Sequence, residues 1–199
     1  NFSYGQPWAM DDGSLLLMHT RYVDGKRQMF VMTSADGFTW NKPQLLARVA
    51  QGHYQVSWSD GKRVATMFNY HPNKGGLNAR TNLYYMASAD GGKSWHNAAG
   101  QALTLPLEGA DNAARVFDFE SHHQLVYLKQ LLFDKHGRPL LMYLTSGGSE
   151  PGPSSVPRTW HLARWDGQIW RHSDITTSDH TYDFGSLSLE PDGIWRLIA

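Results

Sequence analysis

The sequence predicts an all-β chain built from repeated four-stranded antiparallel units. Short apolar runs of strand length, such as Met29-Phe30-Val31-Met32 and Leu83-Tyr84-Tyr85-Met86, recur along its 199 residues and are separated by Asp-Gly turn signals. A turn motif occurs twice, as S-A-D-G-G-K-S-W at residues 88–95 and, one residue shorter, as S-A-D-G-F-T-W at 34–40. Its aspartates, Asp36 and Asp90, lie 54 positions apart, close to the roughly 40 to 50 residues of one four-stranded repeat. In each copy the aspartate can accept hydrogen bonds from the turn backbone, the following glycine tolerates a backbone other residues resist, and the closing Trp40 or Trp95 can anchor on apolar neighbours.

The first unit reads as a strand near 7–10, the turn Asp11-Asp12-Gly13, a strand at 15–19, the turn Asp24-Gly25-Lys26, a strand at 28–33, the motif, and a strand at 44–46. The second repeats the order with strands at 54–58, 63–70 and 80–87, a polar loop at 71–78, the second motif copy, and a weak last strand near 102–105. Residues 108–121 break the rhythm and read as an insertion or long connection. The third has strands at 125–133, 139–144 and 158–164, a Gly/Ser/Pro-rich loop at 145–156, and a tighter Asp166-Gly167 turn before Trp170. A fourth opens at His180-Thr181-Tyr182-Asp183 and shows two strands, 185–189 and 194–198. The units span roughly 4–50, 51–107, 122–176 and 180–199, the last incomplete.

The pattern Ser-x-Asp-x-Gly-x-x-Trp resembles the Asp-box of sialidase-like, BNR-repeat β-propellers. That resemblance implies a single all-β propeller portion of about three and a half four-stranded blades. Closed rings typically have about 4 to 8 blades, so the expectation is part of a larger ring.

Lys plus Arg and Asp plus Glu each number 18, giving a formal net charge of zero. No electrostatic surplus is available for a phosphate backbone, which argues against nucleic acid as a partner. The absence of cysteine excludes disulfides and thiolate metal sites and fits an exported protein. No signal peptide and no membrane-spanning run is present in the sequence; a secreted or periplasmic location is expected, with any leader outside it.

Blade geometry puts the Asp-Gly turns on one face. The other face collects first-strand starts, second-strand ends and third-strand starts, and there lie His19, Arg21, Tyr22, His53, Tyr54, Asn69, Tyr70, His71, Arg80, His122, His123, Tyr143, Arg158, His180, Tyr182 and Asp183. A lone His or Tyr at a strand end is most often a satisfied structural residue; so many on one face point to a binding surface. The set lacks the carboxylate pair most glycoside hydrolases use. Tyr, His and Arg suit β-elimination on a uronate: a cation neutralises the carboxylate and acidifies the adjacent carbon, and a His or Tyr moves the proton.

The chain also resembles the BNR-4 group of propellers, which includes ulvan lyases. His53, His71, Tyr143 and Arg158, and the segment H-T-Y-D-F-G-S-L at 180–187, carry that resemblance. It implies Tyr143 as base and acid, Arg158 and His71 as carboxylate-neutralising groups and His53 as an assistant. Arg80, Tyr70, His123, His180, Tyr182 and Arg21 complete the expected substrate-binding set, with a polysaccharide as partner. The chemistry requires no cofactor. The resemblance allows a structural metal ion, calcium or zinc, for which His122, His123 and His180 are candidate ligands. A sialidase-like glycosidase would instead use Arg21, Arg80 and Arg158 as a carboxylate-gripping triad, and a non-catalytic carbohydrate-binding propeller would use the same aromatic face.

Overall fold

A computed structural model describes residues 3–155 and 157–199. Tight Asp-Gly turns reverse the chain wherever the sequence signals them, so each unit folds as a meander. Sheet 1 holds β1 (Ser3–Ala9), β2 (Leu15–Val23), β3 (Lys26–Ser34) and β4 (Gln44–Ala47), in that spatial order. Sheet 2 holds β5 (Gln55–Ser59), β6 (Val64–Tyr70), β7 (Thr81–Ser88) and β8 (Arg115–Phe117). Sheet 3 holds β9 (Leu125–Phe133), β10 (Pro139–Ser146), β11 (Arg158–Trp165) and β12 (Trp170–Thr177), and β13 (Ser186–Leu189) with β14 (Trp195–Ile198) forms a hairpin. All pairings within sheets are antiparallel. The first strands adjoin one another in sequence, β1 beside β5, β5 beside β9 and β9 beside β13. The sheets therefore fan out from their first strands, the arrangement of a β-propeller.

Packing between sheets explains the composition of the middle strands. Every residue of β6 and of β10 is buried, because each strand has a sheet on both faces. Alternate residues go to opposite neighbours. Phe68 joins Leu16, Met18, Met29 and Trp95 between sheets 1 and 2. Ala65 and Met67 join Val126, Leu141 and Tyr143 between sheets 2 and 3. Leu140, Met142 and Leu144 join Trp160 and Leu187 beneath the hairpin.

The turn motifs close with internal hydrogen bonds. Asp90 Oδ1 accepts from the Ser94 amide at 2.9 Å and Trp95 Nε1 donates to the Gly92 carbonyl at 3.1 Å. In the shorter copy Asp36 Oδ1 accepts from the amides of Phe38 (2.8 Å) and Thr39 (2.7 Å). Removing one residue shifts the acceptor's partners toward it, and Trp40 is left half-buried where Trp95 is fully buried.

The fourth strand of sheet 2 corrects the sequence reading. It is Arg115–Phe117, inside the stretch taken as an insertion, and not 102–105. The apolar residues at 102–107 serve another partner: Leu103 and Leu105 pack on the core between sheets 1 and 2, and Leu107 bridges to Ala47 at the edge of sheet 1. Alternating hydrophobicity marks burial here, and the buried surface belongs to the neighbouring sheet.

Candidate active site

A cleft of about 380 Å³ opens where the first strands begin. Tyr4, Tyr54, Tyr127 and Tyr182 line it, with Arg80 and Lys129 among them. Each tyrosine comes from a different unit, at or just before its first strand.

Arg80 precedes β7, and its backbone is clamped to sheet 3: the Val126 amide donates to its carbonyl at 3.0 Å and Thr81 Oγ1 donates to the Gln124 carbonyl at 2.7 Å. Its guanidinium carbon lies 4.7 Å from the centroid of the Tyr54 ring and 4.9 Å from that of Tyr127. Both contacts are cation–π. Among the described residues Arg80 has no carboxylate partner; its Nε donates to the Leu77 carbonyl at 3.1 Å. Asn69 holds the two rings in register, accepting from the Tyr54 amide at 3.1 Å and donating to the Val126 carbonyl at 2.9 Å.

The Tyr127 hydroxyl is buried beside that of Thr181, and neither makes a well-formed hydrogen bond among the described residues. Burial pushes the Tyr127 phenol above its ordinary value, with Tyr182 adding to the rise, while Arg80, the Thr181 hydroxyl and Arg158 pull it back. Tyr54 is likewise raised by burial and opposed by Arg80 and Arg27. Tyr182 meets Tyr127 edge-on at 5.6 Å and is half-exposed. Lys129 donates to the carbonyls of Thr181 (3.1 Å) and Asp183 (2.5 Å), tying the wall before β13 to β9. Burial lowers its pKa to about 8.

The structure distributes the expected residues unevenly. Arg80 and Tyr182 line the cleft. His71 stands behind it, 4.7 Å from the Tyr54 ring, fully buried and with no hydrogen-bond partner on either nitrogen among the described residues. Burial, with His53, Arg80 and Arg27 nearby, holds its pKa down to about 3. His53 is saturated: the Val49 amide donates to Nε2 at 3.0 Å, and Nδ1 donates to the Asn69 carbonyl at 2.8 Å.

Tyr143 lies away from the cleft. Its parity on β10 turns it into the core between sheets 2 and 3, stacked on His161 at 5.0 Å, with its hydroxyl 2.9 Å from His172 Nδ1. Arg158 is buried and donates to the Asp179 carbonyl at 3.3 Å and to the Glu150 carbonyl. Tyr70 turns to another surface and bonds Glu120. His123 is exposed beyond the short helix Glu120–His122. His180 accepts the Tyr182 amide on Nδ1 at 3.1 Å, and Arg21 covers Phe30 at 4.7 Å. Arg21 and Arg158 do not line the cleft with Arg80, although Arg158 lies near enough to Tyr127 to act on its phenol.

The candidate metal ligands are not brought together either. His122 Nδ1 is 2.9 Å from the Asp118 carbonyl oxygen, and among the described residues no group of three or more His, Asp or Glu side chains is placed to hold a metal ion. Tyr4, Arg27, Tyr127 and Lys129 were not singled out from sequence. A periodic signal marks most of them: Tyr recurs near each first-strand start, and Arg27, Arg80 and Arg158 recur at the starts of the third strands.

Three four-stranded sheets and a hairpin, with a Tyr/Arg cleft at their inner strands, give the chain the layout of a β-propeller portion. The family model described as "BNR repeat-containing family member" matches residues 1–178, and the chain belongs to that family. It is 23% identical to an ulvan lyase of Nonlabens ulvanivorans, over 86% of this chain and 40% of that protein. A solved PL25 ulvan lyase superposes with a TM-score of 0.72 at 19% identity, covering 94% of this chain and 46% of that one. The polysaccharide lyase Uly1 follows with a TM-score of 0.68 at 15% identity, covering 88% and 40%. The chain thus spans less than half the length of these relatives.

Proposed function

We propose that this chain carries the cleft of a polysaccharide lyase that breaks a uronate-containing, ulvan-like glycan by β-elimination. The observation that supports this best is Arg80 held between the phenols of Tyr54 and Tyr127 in a cleft that no carboxylate lines among the described residues. A glycosidase would need two acids there. A lyase needs a cation and a proton-transfer group.

In this reading Arg80 pairs with the uronate carboxylate and so makes the proton on the adjacent carbon removable. Tyr127, as phenolate, takes that proton. The electron pair forms the new carbon–carbon double bond as the glycosidic carbon–oxygen bond breaks, and the leaving oxygen collects a proton from the same phenol. Burial and the neighbouring Tyr182 oppose the phenolate; Arg80, the Thr181 hydroxyl and Arg158 favour it. The proton-transfer role thus passes from Tyr143, which sits in the core, to Tyr127. A polymeric substrate places the work outside the cytoplasm, in keeping with a secreted or periplasmic protein. No helix among the described residues is long and apolar enough to cross a membrane.

The test is ultraviolet absorbance from the unsaturated uronate during incubation of the full-length protein with ulvan and other uronate polymers. Absorbance should rise with the wild type and stop rising with Tyr127→Phe, while polymer binding persists. Binding without any absorbance change in the wild type would replace the lyase by a carbohydrate-binding propeller.

A further inference from the structure

Arg27, in β3, occupies in sheet 1 the place Arg80 occupies in sheet 2, near the start of the third strand. Its guanidinium carbon lies 5.0 Å from the Tyr4 ring, 4.8 Å from Tyr22 and 5.0 Å from Tyr54. Tyr54 is thus shared: one ring serves Arg27 and Arg80. Tyr4, Arg27, Tyr54, Arg80 and Tyr127 form an alternating ladder of phenols and cations across three sheets.

Arg27 is only 8% exposed. Its Nη2 donates to the Tyr22 hydroxyl at 2.9 Å, but Nε and Nη1 are buried without a hydrogen-bond partner, and no carboxylate pairs with it among the described residues. Arginine does not shed its proton, so the charge stays. A buried cation without a counter-ion is costly, and three aromatic faces offset only part of that cost. Two of its covers reach the surface: Tyr4 is 54% exposed and Tyr22 50%. Tyr4 and Tyr54, two of the three rings against Arg27, also line the cleft.

We propose that Arg27 is a second oxyanion subsite, binding a carboxylate or sulfate ester of the same polymer whose uronate Arg80 holds. This rests on the lyase reading above. A polymer with recurring anions fits a ladder with recurring cations, and the planar fork of arginine suits either oxyanion.

The experiment measures KM, kcat and unfolding temperature for wild type and Arg27→Met in the full-length protein. KM on intact sulfated polyuronate should rise roughly 10-fold or more with kcat much less changed, and the free protein should melt no lower, since an unpaired buried charge has been removed. Binding to carboxyl-reduced and to desulfated polymer separates the two anions: on the polymer lacking the group Arg27 holds, wild type and variant bind alike. An unchanged KM on intact polymer overturns the proposal, as does an equal loss of binding to all three polymers together with a lower melting temperature. Should Arg27→Met not fold, Arg27→Lys carries the test, because it keeps the charge and loses the fork; KM should rise several-fold, and an unchanged KM overturns the proposal. Wild type that neither binds nor cleaves any uronate polymer overturns the lyase reading itself, and is established before the variants are compared.

Discussion

His53 provides the sharpest separation of structure from chemistry. It is fully buried between the Val49 amide and the Asn69 carbonyl. Burial depresses its pKa from 6.5 to about 4, against the opposing pull of the Asn69 carbonyl. The unfolded chain takes up this proton near pH 6.5 and the folded chain only near 4, so protonation favours unfolding. The contribution is complete above the unfolded value and is lost as pH falls through this window. At about 1.4 kcal/mol per pKa unit, it amounts to about 2 to 2.5 kcal/mol between pH 7 and 4.5. The perturbation is His53→Gln, which keeps a donor and an acceptor but does not titrate. Urea unfolding at pH 7, 6, 5 and 4.5 gives the stability of each protein. The variant should be about 1 to 3 kcal/mol weaker at pH 7 for an imperfect hydrogen-bond match. Its further loss on acidification should be about 2 kcal/mol smaller than that of the wild type. His71 shares the same sign and stays in both proteins; losing His53 relieves a secondary part of its depression, but burial, the larger cause, keeps it neutral over this range, so most of its contribution cancels. The aspartates of the turn motifs, Asp36 and Asp90, ionise near 2; they are present in both proteins and cancel in the difference. An acid loss identical in the two proteins would refute the buried-neutral assignment. Abolished turnover in a folded His53→Gln would show that His53 acts on substrate after all.

Two further substitutions test the fold around the cleft. Tyr143→Phe removes the 2.9 Å contact to His172 and should cost about 1 kcal/mol with turnover close to wild type; a folded variant without lyase activity would return the proton-transfer role to Tyr143. At Gly52, φ is +120° and an added Cβ would lie 2.0 Å from the Arg27 carbonyl oxygen. Gly52→Ala should therefore destabilise by at least about 3 kcal/mol, read as a large fall in melting temperature, and a fall of only a degree or two would contradict the tight β3–β5 junction.

Local signals settled the sheet framework. The paired turn motifs, the Asp-Gly turns and the strand-length apolar runs recur at blade spacing, and each depends on residues adjacent in the chain. Arg80 and Tyr182 were legible as cleft residues for the same reason, since both precede a strand start on the expected face. What tertiary structure decided was the partner of each strand face. Tyr143 and Tyr127 are both tyrosines in sheet 3, and only the alternation of β10 between two packed sheets sends Tyr143 into the core, while Tyr127 on the inner strand meets Arg80 from sheet 2. The same holds for residues 102–107, whose apolar pattern announced burial but not that sheet 1 would receive it. The ladder from Tyr4 to Tyr127 joins residues of three sheets, far apart in sequence. Periodicity and turn chemistry are short-range, so the sequence alone determined most strands of each sheet, β8 excepted; which cations and phenols face one another depends on how the sheets pack around their first strands, and only the folded structure decided that.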